Sequence, residues 1–204
     1  MKRIVSSFAM ALTMLISSVA FAATTTYRST MSGPSELPPN SSPGAGIATI
    51  VFDDVAMTML FSIPFIDLQA GTTVAHLHCC TATPLIGTSP PAIGFDDFPV
   101  GAQSGLYERL YNLADAATYE PAFLSVHGTV DAARSFLLSG IDNNQSYLNI
   151  HTAQFPAGEI RGFLVELAQP VPEPSSWLML GVGLAGIGFC AAKRRAAEMF
   201  RSGQ

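Results

Sequence analysis

Prolines and glycines, gathered with Asn and Ser into clusters at 33–44 (GPSELPPNSSPG), 87–94 (GTSPPAIG) and 140–146 (GIDNNQS), cut this 204-residue chain into short apolar pieces. Short pieces bounded by such breakers read as strands joined by turns. Residues 45–52 (AGIATIVF) and 57–65 (MTMLFSIPF) are apolar and partly β-branched, while 74–78, 146–152 and 158–167 alternate with the period of two that a half-buried strand requires. One helix is expected over 130–140, with Asp131 near its N-terminus, Ala133, Phe136 and Leu137 at three- and four-residue spacing, and Gly140 in the position just past its end. A weaker helix or turn is expected around 103–116. The fold class that fits is mostly β: an antiparallel β-sandwich of immunoglobulin-like or superoxide-dismutase-like architecture with one short helix.

The two ends carry targeting information. Lys2 and Arg3 precede an apolar run from Phe8 to Ile16 and then Ala20-Phe21-Ala22. A basic start, an apolar middle and an A-x-A site make a secretory signal peptide, so residues 1–22 are expected to be removed. Near the other end an uncharged stretch, 177–192, reads as a hydrophobic helix and is followed at once by a basic stop, Lys193, Arg194 and Arg195. Those residues would span about 24 Å of helix, a little short of a bilayer's roughly 30 Å core. The basic stop would hold the tail on the cytoplasmic side, which makes 177–192 a transient anchor in the inner membrane. Between these signals, 23–169 is long enough for one domain with a core of its own.

That domain carries four arginines against thirteen acids, a net charge of −9, and no lysine. Without cations to neutralise phosphate it is no nucleic-acid binder and has no electrostatic hold on anionic lipid. It has no G-x-S-x-G, no Walker loop and no H-E-x-x-H, so the sequence marks no catalytic group and the expectation is a protein that is not an enzyme.

Two groups of residues stand out. His76 and His78, two apart on a strand, share a face with side chains about 6.5–7 Å apart, a geometry that can seat a metal. A hairpin centred on Phe155 would set Asn149 opposite Arg161 and His151 opposite Glu159, all on one face. Two readings of these residues stand: a copper or zinc site with His76, His78 and His151 as ligands, or a structural network in which Glu159 and Arg161 pair and Asn149 and the imidazoles hydrogen-bond around them. In the second, Arg161→Ala and Glu159→Ala would each cost about 3–5 kcal/mol and their effects would be strongly non-additive. Cys79 and Cys80 follow directly and are the domain's only cysteines. In an oxidising compartment they are expected to form a vicinal disulfide, the alternatives being metal ligation beside His78 and reduced or intermolecular thiols. His127 and the acidic clusters Asp53-Asp54, Asp96-Asp97 and Asp142-Asn143-Asn144 read as surface or core residues and solvated turns.

His76-Leu77-His78, the segment 146–152 (SYLNIHT) and Phe155-Pro156-Ala157-Gly158-Glu159-Ile160-Arg161-Gly162, with an early Glu36-Leu37-Pro38-Pro39, resemble the CHRD (chordin-type) domain over about 27–167. Pro172-Glu173-Pro174, the apolar run and Lys193-Arg194-Arg195 resemble the PEP-CTERM sorting signal of exopolysaccharide-producing Gram-negative bacteria, making 170–204 a sorting segment. The first resemblance implies a non-enzymatic binding or structural module with no assigned ligand. The second implies processing by an exosortase, a membrane protease-transpeptidase, and delivery to the cell surface or the secreted matrix, where exopolysaccharide or other surface proteins are the expected partners. The alternative is an envelope metal-binding or redox protein using His76, His78, Cys79, Cys80 and His151.

Overall fold

The structure is a computed structural model that describes residues 24–168 and 176–201. The signal peptide and the Pro172-Glu173-Pro174 motif lie outside the described residues. The chain divides into two units, 1–167 and 168–204.

The first unit contains eight strands: β1 (Thr24–Ser32), β2 (Ala45–Asp53), β3 (Thr58–Ile66), β4 (Thr72–His78), β5 (Pro91–Gly94), β6 (Gly105–Asn112), β7 (Tyr147–Thr152) and β8 (Ile160–Glu166). All pair antiparallel in a single sheet of order β5-β4-β7-β8-β1-β2-β3-β6. The mostly antiparallel β class read from the sequence is the class that folds, with its layers formed as arcs of one sheet curled into a half-barrel. Phe61 of β3 meets Phe95 just beyond β5 with ring centroids 5.0 Å apart. At the seam Tyr111 Oη of β6 donates to Gly94 O at 3.1 Å and Tyr107 Oη to Asp96 O at 3.0 Å. The concave face holds the core, in which Ile50, Phe61, Phe65, Leu77, Leu148 and Ile160 are almost fully buried.

Residues 103–116, expected to be helical or turn, instead form β6. In GLYERLYN the apolar residues fall at 106, 107, 110 and 111, which suits a helix face as well as two alternating strand faces. Pairing with β3 settles the choice: Tyr107 and Tyr111 point into the aromatic core while Leu106, Glu108 and Leu110 are exposed. The Thr- and Ser-rich β1 and the four-residue β5 gave no clear apolar signal, yet β1 lies between β8 and β2.

Two short helices follow β6. Helix α1 (Pro121–His127) starts on a proline, whose missing N–H costs nothing in a first turn. Helix α2 (Val130–Asp142) is capped by Thr129 Oγ1, which accepts from Ala132 N, and it buries Ala133, Leu137 and Ile141. It runs two residues past Gly140, so that glycine is an internal helical residue and not the one beyond the end. The reason is contact: a Cβ at Gly140 would overlap Cys80 Sγ and stand 2.6 Å from Cys79 Sγ. Glycine to alanine inside a helix ordinarily gains about 1 kcal/mol. Gly140→Ala is expected instead to destabilise by about 2 kcal/mol, read by denaturant titration, because Cys79 is 3% exposed and has no room to retreat.

The second unit is described by helix α3 (Ser176–Arg201), which continues through the basic cluster 193–195. Lys193 and Arg194 are exposed on it, and Arg195 lies on the same helix. Among the described residues no helix is long and apolar enough to cross a membrane.

Candidate metal centre and the polar face around it

The alternation that turns Ala75 and Leu77 into the core turns His76 and His78 to the sheet's other face. On β7 it sends Leu148 and Ile150 inward and Tyr147, Asn149 and His151 outward; on β8, Arg161 and Phe163 lie opposite in sense to Ile160 and Leu164. Register then assembles the face. His76 pairs with Asn149, His78 with Tyr147, Asn149 with Arg161 and Tyr147 with Phe163.

His76, His78 and His151 come together, one ring nitrogen of each within 4.8 Å of the other two. His78 Nδ1 donates to Ser89 O at 2.7 Å and His151 Nδ1 to Pro156 O at 2.9 Å, which turns each Nε2 lone pair away from the backbone. His78 Nε2, His151 Nε2 and His76 Nδ1 are buried without a hydrogen-bond partner. Carbonyls that fix the far nitrogen while the near one stays free are the outer support that metal-binding imidazoles need. Burial lowers the pKa of His76 and of His78 to about 4, and lowers that of His151 as well, so all three are neutral at pH 7 with lone pairs available. Three imidazole nitrogens at about 2.0–2.1 Å would leave one position of a tetrahedral zinc or copper site open.

Cys79 and Cys80 are joined to each other as a vicinal disulfide. They are not in the histidine cluster. Cys79 belongs to the core and both sulfurs abut Gly140, so among the described residues the donor set is histidine alone. His127, a residue without an assigned role in the sequence reading, packs at a tilt against the rings of Phe123 and Phe136 in an apolar cleft that Cys79 and Cys80 also line.

Asn149 stands opposite Arg161, as the hairpin arithmetic has it, but Glu159 and Arg161 form no ion pair. The fully buried Glu159 carboxylate is held by Ser42 Oγ, Gln69 N and Thr152 Oγ1, each donating at 2.6 Å. Arg161 lies over the rings of Tyr147 and Phe163, its Cζ 4.2 and 5.2 Å from their centroids, and donates from Nη2 to Gly87 O at 2.7 Å. Asn149 Nδ2 donates to Glu36 at 2.8 Å. Burial pushes the Glu36 carboxyl up to about 7 against the opposing pull of Arg161 and of that hydrogen bond. Sequence reasoning did not place Glu36 in this network, because it reaches Asn149 from the turn after β1, 113 residues away along the chain. Asp53 caps its own turn, Asp96 and Asp97 face Arg109, and Asp142 accepts from Tyr27 Oη at 2.6 Å.

No curated protein and no solved structure matched the chain. Two family models did. The PEP-CTERM protein-sorting motif matches residues 170–195, a signal that fits an exosortase as processing enzyme and marks the chain as one exported and sorted to the cell envelope or surface. The CHRD domain matches residues 27–164, from β1 through β8 and across the three clustered histidines, and on that match this chain belongs to the CHRD-domain family.

Proposed function

We propose that the exported domain is a binding module, not an enzyme, that holds one copper or zinc ion between His76, His78 and His151. The observation that carries this reading is the convergence of three neutral imidazoles whose facing nitrogens are buried without partners. A buried polar atom left unsatisfied costs about 1–3 kcal/mol, and a shared cation would satisfy all three at once. The histidine-only donor set favours copper or zinc over calcium or magnesium, which take oxygen. In this reading an exosortase releases the domain from its sorting segment to the surface or matrix, where exopolysaccharide and other surface proteins are its neighbours.

Elemental analysis of protein purified from its native host without added metal is expected to find one equivalent of copper or zinc. At free metal of 100 Kd the ion would stabilise the fold by about 2.7 kcal/mol. A metal-specific chelator is therefore expected to lower the melting temperature by about 5–10 °C in the wild type and to leave a metal-free His151→Ala variant unmoved. Metal-free protein with a melt unchanged by chelator and by added zinc or copper would overturn the proposal in favour of a purely structural network.

A further inference from the structure

A second site lies on the same sheet face and does not depend on the metal reading. Arg161 is 3% exposed, yet among the described residues no carboxylate oxygen comes within 4 Å of its guanidinium. Its one hydrogen bond goes to the carbonyl of Gly87, and its Nε is buried with no acceptor. A guanidinium removed from water with no carboxylate in contact is costly, and stacking on Tyr147 and Phe163 and the more distant Glu36 make up only part of the loss. Arg161 also lines a cleft of about 320 Å³, at the small end of the range for small-ligand sites. The other walls are largely apolar: Leu37, Leu85, Ile86 and Phe163, with the hydroxyls of Thr30 and Ser35. Leu37, Leu85 and Ile86 are 53%, 53% and 65% exposed, so a hydrophobic rim leads from solvent to a buried cation.

We infer that this cleft binds a small organic carboxylate with an apolar body, its carboxylate on the Arg161 guanidinium and its body against Leu37, Leu85 and Ile86. A planar carboxylate is the anion whose two oxygens match adjacent guanidinium N–H groups. Glu36 is the one acid lining the cleft. Its Oε1 is occupied by Asn149 Nδ2, and burial disfavours its charged form, which limits its repulsion of an incoming anion.

The test uses full-length exported protein and calorimetric titration with benzoate, against benzamide as the neutral isostere at matched ionic strength. Benzoate is expected to bind with one-to-one stoichiometry at least about tenfold more tightly than benzamide. Arg161→Lys, which keeps the charge and loses the planar fork, is expected to weaken benzoate about tenfold. Because Arg161 is buried and its replacement perturbs the packing around it, Ile86→Asp on the exposed rim is the second arm: it is expected to melt like the wild type and to bind benzoate at least about fivefold more weakly by charge repulsion. Equal binding of benzoate and benzamide, no benzoate heat at millimolar concentration, or undiminished binding by a folded Ile86→Asp would each overturn the inference.

Discussion

Glu159→Ala is expected to lower the unfolding free energy by about 4 kcal/mol, a large part of the roughly 5–15 kcal/mol that holds a domain of this size together. The carboxylate is fully buried and accepts from a backbone N–H and two hydroxyls. Removing it strands Gln69 N, Ser42 Oγ and Thr152 Oγ1 and opens a cavity where they met. Glu159→Gln keeps the volume but turns an amide N–H₂ toward donors, so it is expected to recover only part of the loss. Arg161→Ala sacrifices different contacts, the Gly87 carbonyl and the faces of Tyr147 and Phe163. With no ion pair joining the two residues, the double-mutant cycle is expected to close within about 1 kcal/mol. That departs from the strong coupling which the sequence alone suggests. Equilibrium urea unfolding of the four proteins measures it, and a coupling of several kcal/mol would refute the assignment of partners.

Acid should expose the histidines most clearly in metal-free Glu36→Gln protein, which is expected to lose about 3 kcal/mol between pH 6.5 and pH 4. His76 and His78 have folded pKa values of about 4, below the ordinary 6.5, so the unfolded chain binds more protons in this window and stability falls as pH falls. Both rings are only partly buried, and the figure is reduced accordingly. Glu36 runs the other way. Its folded value of about 7 lies above the ordinary 4.5, so its contribution is complete below pH 4.5 and is lost as pH rises toward 7. In the wild type the two slopes oppose each other and the acid loss is expected to shrink to about 1 kcal/mol. Glu36→Gln removes the opposing limb, so at pH 8 the variant is expected to be about 2 kcal/mol more stable than the wild type. Chemical unfolding across pH 4–8 reads both effects, and a flat profile for Glu36→Gln would contradict the burial of neutral imidazoles.

What the sequence made legible was whatever depends on local spacing. His76 and His78 needed only the period of two to share a face, and Asn149 opposite Arg161 needed only that period and a turn centre. The partners of Glu159 were not legible, since Ser42 and Gln69 stand 117 and 90 residues away and arrive through loops whose path no pattern encodes. Tertiary contact also decided the ambiguous elements. GLYERLYN became a strand because β3 offered it a ladder, and Gly140 stayed inside α2 because two sulfurs occupy the space a side chain would take. The histidine cluster lay between these cases. Its members were identifiable, while the Ser89 and Pro156 carbonyls that aim their rings were not.

A sheet that ends in solvent offers its bare rim to any chain alongside, and molecules crowded on a cell surface meet one another constantly. Here one of the two outermost strands, β5, is four residues long and begins on Pro91. Its carbonyls are already engaged: Ala92 O accepts from Glu120 N at 2.9 Å and Gly94 O from Tyr111 Oη. The tyrosines that draw the half-barrel together thus also act as bumpers. Neighbouring copies can stand shoulder to shoulder without stitching into fibres along that margin.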